Sequence, residues 1–129
     1  MNIDSFEGLL VAAALQQEPQ QLLLAFAVAE NEPGPVSGRD AVRQTLVPVM
    51  CVAKQVGELD TFANLAEEAG NMGAHWDVVL VSTLGGSAGQ LPDSRRTDAA
   101  LQQMIGLIQA GDMARFVAFD RSGDMLRHA

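Results

Sequence analysis

Cysteine is almost missing from this chain. Cys51 is alone among 129 residues, so no internal disulfide can form and no C-x-x-C pair exists for zinc or thiol exchange. Such usage fits a reducing cytoplasm. Basic residues are scarce as well: 8 Lys and Arg against 16 Asp and Glu leave a net charge of −8. An acidic surface repels phosphates, which excludes nonspecific binding to nucleic acid or to an anionic membrane. No apolar run approaches the ~20 residues needed to cross a bilayer. The opening residues carry Asp4 and Glu7 where an export signal needs cations, so no secretion signal is expected. H-x-x-x-H, the Lys-Ser/Thr of a P-loop and G-x-G-x-x-G are all absent. Cys51, His75 and His128 share no zinc spacing. Neither a metal nor a cofactor is expected.

What is present reads as a globular domain over 1–129. Hydrophobic residues make up 48 % and charged ones 19 %, enough for a sizeable core. The charge is uneven, with all of the −8 in residues 1–90 and balance in 91–129. A first helix is predicted over 4–16, with Asp4 and Glu7 at capping-box spacing. It sets Phe6, Leu9, Leu10 and Ala13 on one face, but Val11 and Leu15 on the other. The run 21–30 reads as a buried strand, bulky at Leu22, Leu24, Phe26 and Val28. Its other face is mostly small, at Leu23, Ala25, Ala27 and Ala29, as when a helix packs close. A Pro- and Gly-containing loop follows at 31–40. Strands are predicted at 46–54, 76–84 and 114–120, with a short fifth near Met125, and helices at 60–69 and 98–110. Pro48 cannot donate to a ladder and marks a strand start or an edge. Gly70 and Gly111 are expected to end the second and third helices. Two successive β-α-β runs predict a mixed, mostly parallel α/β sheet of four or five strands with about three helices.

Four patterns could carry chemistry. Cys51 shares a strand face with Val47, Val49 and Ala53, all apolar, and Lys54 points away; that is a core position, not one that holds a thiolate. The stretch 85–89, Gly-Gly-Ser-Ala-Gly, matches the G-x-S-x-G nucleophile turn. Asp112, Asp120 or Asp124 and then His128 follow it in hydrolase order. A nucleophile turn leads directly into a helix, however, and here Pro92 and more loop intervene. The same loop could cradle a phosphate or nucleotide. Gly85, Gly86, Ser87 and Gly89 follow a strand, and Arg95 and Arg96 precede a helix N-terminus. Against this stands a plain connection with two solvated arginines. The pair Glu67 and Glu68 reads as a helix's wet side. No residue is assigned as catalytic.

The segments 1–10, 47–69, 76–86 and 101–126 resemble a group of small bacterial proteins that carry the label "ribonucleotide reductase subunit alpha". A catalytic subunit of that enzyme needs a thiyl-radical cysteine and a further reducing pair, which one cysteine cannot supply. The expectation is a small cytoplasmic interaction or regulatory protein without catalytic activity. The alternative is a phosphate- or nucleotide-binding or hydrolytic domain built on the loop 85–96. The helix over 4–16, apolar on two sides, predicts a homodimer through Val11 and Leu15 unless the loop 31–44 folds over them.

Overall fold

In the computed structural model, which describes residues 5–33 and 42–126, two long strands form the spine. β1 is Gln20–Pro33 and β2 is Val42–Gln55. They pair antiparallel along their whole length, from Gln21 opposite Gln55 to Pro33 opposite Val42. Asn31, Glu32 and Pro33 therefore lie in β1 and not in a loop, while residues 34–41 and His128 lie outside the described residues. One bulge interrupts the ladder, where Phe26 faces Met50 and Ala27 faces Pro48. The bulge falls on an edge strand, a position that tolerates a residue without an N–H. It leaves Val49 as the extra, exposed residue.

β3 (Val78–Gly85), β4 (Val117–Asp120) and β5 (Met125–Leu126) complete a five-stranded sheet in the order β2-β1-β3-β4-β5. Every neighbouring pair is antiparallel. The expected mostly parallel sheet is thus overturned. The reason is instructive. β2 and β3 do run in the same direction, as a β-α-β unit requires, since both are antiparallel to β1. But β1 is inserted between them, so they are not neighbours. The second unit fails differently. After α3 the chain turns through residues 111–116 and enters β4 against the direction of β3.

Three helices cover the two faces. α1 (Phe6–Ala14) and α2 (Phe62–Asn71) lie on one, and α3 (Ser94–Gln109) on the other. The first core joins Phe6, Leu9, Leu10 and Ala13 of α1 to Phe62, Leu65 and Ala69 of α2, over Leu22, Leu24, Phe26, Val79, Val81 and Phe119. Phe6, Phe62 and Phe119 meet with centroids 5.7–5.9 Å apart. Trp76 stands edge-on to Phe26 at 5.1 Å. The second core sets Met104 and Ile108 of α3 on Leu23, Ala25, Ala27, Val78, Leu80, Phe116 and Ala118. The small face of β1 lies under α3, because only short side chains let a helix axis come close.

Helix ends differ from the expectation by up to a turn. Ser5 caps α1, its Oγ accepting from the Gly8 amide at 3.0 Å. Glu7 instead accepts from the Phe62 amide at 2.8 Å and so ties α1 to the start of α2. Asp93 caps α3, which starts four residues ahead of the expected 98; buried Thr97 donates from its hydroxyl to Gln21 Oε1 at 2.8 Å. Gly70 lies within α2, and the left-handed residue beyond it is Gly73. Gly111 does end α3, with φ 81° and the Asp112 amide reaching back to the Leu107 carbonyl at 2.9 Å.

β1 pairs with β3 only as far as Ala27. Beyond it, residues 28–33 and 42–47 pair only with each other, forming a two-stranded ribbon that leaves the sheet. Asp77 closes the junction: its amide donates to the Ala27 carbonyl and its Oδ2 accepts from the Ala29 amide, both at 2.8 Å.

Candidate functional site

The glycine-rich stretch after β3 is a tight turn. Ser87 and Gln90 exchange amide-to-carbonyl bonds of 3.0 Å in both directions. Ala88 and Gly89 between them have φ of 54° and 76°, the paired positive values of a two-residue hairpin turn. Gly86 is needed for space: a Cβ there would lie 1.8 Å from the Gln90 carbonyl oxygen. Sequence and geometry agree on glycine, but for chain crossing and not for exposing a nucleophile.

The groups that would cradle an anion are already engaged. The Gly89 amide donates to Glu18 Oε2 at 3.0 Å, and the Gly86 amide to the Pro19 carbonyl at 2.8 Å. The α3 N-terminus is occupied by Asp93, whose Oδ1 accepts from the Arg96 amide at 2.8 Å. Gly85, Gly86, Ser87 and Gly89 are brought together in one turn, with Arg95 and Arg96 exposed on the first turn of α3. Among the described residues no hydrogen bond joins the two groups.

Ser87 is not assembled with Asp120 or Asp124. Asp120 pairs with Val78 at the start of β3, whereas Ser87 lies past its end, a separation of about nine residues or ~30 Å along a strand. Asp120 is spent on its own turn, Oδ1 accepting from the amides of Ser122 at 2.9 Å and Asp124 at 3.1 Å. Among the described residues no cluster of three His, Cys, Asp or Glu could hold a metal. Cys51 is half-buried on β2 against the α3-side core. Lys54 faces the other side and pairs with Glu68 of α2. His75 Nε2 lies 2.9 Å from Asp77 Oδ1 on the surface. The Asp77 carboxyl is held below its ordinary range first by the Ala29 N–H, against the opposing effect of burial, with further help from the His75 hydrogen bond and charge and from the Arg121 charge. That arrangement secures the ribbon junction.

The feature best shaped to receive something lies elsewhere, where β3 outruns β4. Pairing with β4 stops at Val81 opposite Val117, yet β3 continues to Gly85. The Gly86 amide bonds the Pro19 carbonyl, and alternation along the ladder then turns the amide and carbonyl of Thr83 away from β1, toward the open side. Neither has a hydrogen-bond partner among the described residues. A cavity of about 370 Å³ flanks this edge on the α1 face, between Leu9, Ala13 and Gln16 and the strand residues Val81, Thr83 and Val117. A second, of about 220 Å³, flanks it on the α3 face, between Leu84, Ala100, Met104 and Phe116. Arg115 lines both. It is 68 % exposed, and its nearest carboxylate, Asp112, is 4.0 Å away.

Thr83 and Arg115 were not legible as a site. The apolar run within 114–120 predicts a strand from residue 114, which would have covered the edge. The turn that delays β4 to Val117 is visible only in the bond from the Phe116 amide to the Met113 carbonyl, 3.1 Å. The chain matches no family model, no curated protein and no solved structure. Among the described residues no helix is long and apolar enough to cross a membrane.

Proposed function

We propose that this is a small cytoplasmic interaction protein, without catalytic activity of its own, that takes a partner's extended segment at the open edge of β3. The observation that carries this reading is the pair of cavities on opposite faces of one unpaired strand edge. A strand added there gains main-chain hydrogen bonds from the edge and places alternate side chains in the two cavities. The phosphate, nucleotide or hydrolase reading of Gly85, Gly86, Ser87, Gly89, Arg95 and Arg96 is weaker, because Glu18 and Asp93 already fill the anion positions. The single cysteine supports the cytoplasmic assignment. The likeness to the bacterial proteins labelled as a reductase subunit stays within the same proposal, as a kinship whose label one cysteine does not support.

The test uses Thr83→Pro. Proline is tolerated where the N–H faces away from the ladder, so the variant removes the outward donor and keeps pairing with β1. Random heptapeptides displayed on phage and panned on the wild type should yield binders that fail on Thr83→Pro. Binders indifferent to the variant, or no enrichment, would refute the reading.

A second surface favours self-association. Val11 and Leu15 are 56 % and 68 % exposed on the outer side of α1, and burying each would stabilise by about 1.5–3 kcal/mol. Residues 34–41 of the loop 31–44 expected to shield them lie outside the described residues. We therefore propose a homodimer through the helix predicted over 4–16. Sedimentation should give a dimer that Val11→Asp dissociates; a wild-type monomer at 13.7 kDa at micromolar concentration would remove it.

A further inference from the structure

The chemistry of the notch specifies what enters it. Resting on the reading that the β3 edge receives a partner, we infer that the partner presents an acidic side chain between two apolar ones, in an extended segment laid antiparallel to β3 and in line with β4.

The geometry fixes which side chain goes where. Thr83 offers both its amide and its carbonyl to the open side, so the incoming residue opposite it forms a hydrogen-bonded pair. Directly opposed residues share a sheet face. Thr83 belongs with Val79 and Val81, which face α1. The incoming residue opposite Thr83 therefore points into the α1-side cavity, beside Gln16, Gln20 and Arg115. Its two neighbours point the other way, toward Leu84, Met104, Leu107 and Phe116 on the α3 side. Arg115 borders both cavities; the amides of Gln16 and Gln20 border the first, whereas the second is otherwise walled mainly by apolar groups. A carboxylate suits the first and branched aliphatic side chains suit the second.

Charge points the same way. The chain carries −8 overall and repels acids in general. The notch is a local exception. Arg115 stands on its rim with Asp112 no closer than 4.0 Å, which leaves its planar fork free for a carboxylate. The open stretch is about four residues of β3, or ~13 Å, so a core of three to five partner residues is sufficient.

The experiment compares three capped, fluorescein-labelled pentapeptides, Thr-Val-X-Val-Thr with X as Glu, Gln or Lys, by fluorescence anisotropy. The wild type should bind the Glu peptide best, the Gln peptide about fivefold more weakly, as for an exposed ion pair, and the Lys peptide more weakly again. Arg115→Glu should invert the order of the Glu and Lys peptides. Thr83→Pro should weaken all three by about threefold to tenfold, the loss of one neutral main-chain hydrogen bond, with Tm unchanged. Equal binding of the three peptides by the wild type, lost in Thr83→Pro, would overturn the acidic preference and leave the edge reading intact. No binding, or binding unaffected by Thr83→Pro, would overturn both.

Discussion

Replacing Gly86 by alanine adds one carbon, and the structure says where it goes. The new Cβ would lie 1.8 Å from the Gln90 carbonyl oxygen, 2.8 Å from its carbon and 3.0 Å from the Leu91 Cα. Carbon and oxygen make close contact at ~3.3 Å, so the two backbone segments must part by about 1.5 Å. All three groups hit are backbone, which has no rotamer to yield. Three hydrogen bonds hold this crossing: Gly86 N–H to Pro19, and the reciprocal pair between Ser87 and Gln90. At about 0.5–1.5 kcal/mol each, losing them costs about 1.5–4.5 kcal/mol. For a domain of this size that lowers Tm by about 5–15 °C. The contrast lies in Gly70 and Gly106, both inside helices with nothing within 4 Å of an added Cβ. Alanine there should stabilise by about 0.5–1 kcal/mol. Urea unfolding of the three variants is the assay. If Gly86→Ala is as stable as the wild type, the turn does not close as described. The claim that its glycines serve chain crossing would then fail.

Asp77→Ala leaves the Ala29 amide without its acceptor and should cost about 1–3 kcal/mol, whereas Asp77→Asn keeps an oxygen there and should cost less. Because the folded Asp77 carboxyl titrates below its unfolded value near 3.8, its charge stabilises the fold above that pH. The contribution disappears as pH falls through the lower folded value. The gap in urea midpoint between wild type and Asp77→Asn should therefore narrow from pH 6 to pH 2; a constant gap would contradict the assignment. Phe119→Ala, at a fully buried ring between Phe6 and Phe62, should cost about 3–5 kcal/mol in the same assay, and a loss below ~1 kcal/mol would mean the aromatic core is not packed as described. Ser87→Ala should change stability by less than about 0.5 kcal/mol, since Ser87 holds the turn through its backbone; a large loss would assign its hydroxyl a role that the hydrogen bonds do not.

The places where the sequence misleads are those where a local pattern leaves a non-local choice open. Alternation at Leu22–Val28 and helical spacing at Phe6–Ala13 identify strand and helix, because burial of one face enforces the period. The small face of Leu23, Ala25 and Ala27 even indicates which side receives a close-packed helix. Adjacency is another matter. The run from β2 through α2 to β3 has the same pattern whether the two strands touch or straddle β1, and only the pairing register decides between them. The G-x-S-x-G match has a structural source as well: a glycine needed for crossing and a glycine needed for positive φ reproduce the spacing of a nucleophile turn. The notch left no mark in the sequence at all. It arises from a mismatch in length between β3 and β4, and neither strand alone encodes that mismatch.

The most direct measurement is hydrogen exchange at the Thr83 amide, followed by NMR with and without the Thr-Val-Glu-Val-Thr peptide. In the free protein Thr83 should exchange fast while its neighbours Ser82 and Leu84, bonded to β1, stay protected. Saturating peptide should slow Thr83 by at least about tenfold and leave Ser82 and Leu84 unchanged. A Thr83 amide already protected in the free protein would mean that the edge is closed, and one that stays fast with peptide bound would mean that the partner docks elsewhere.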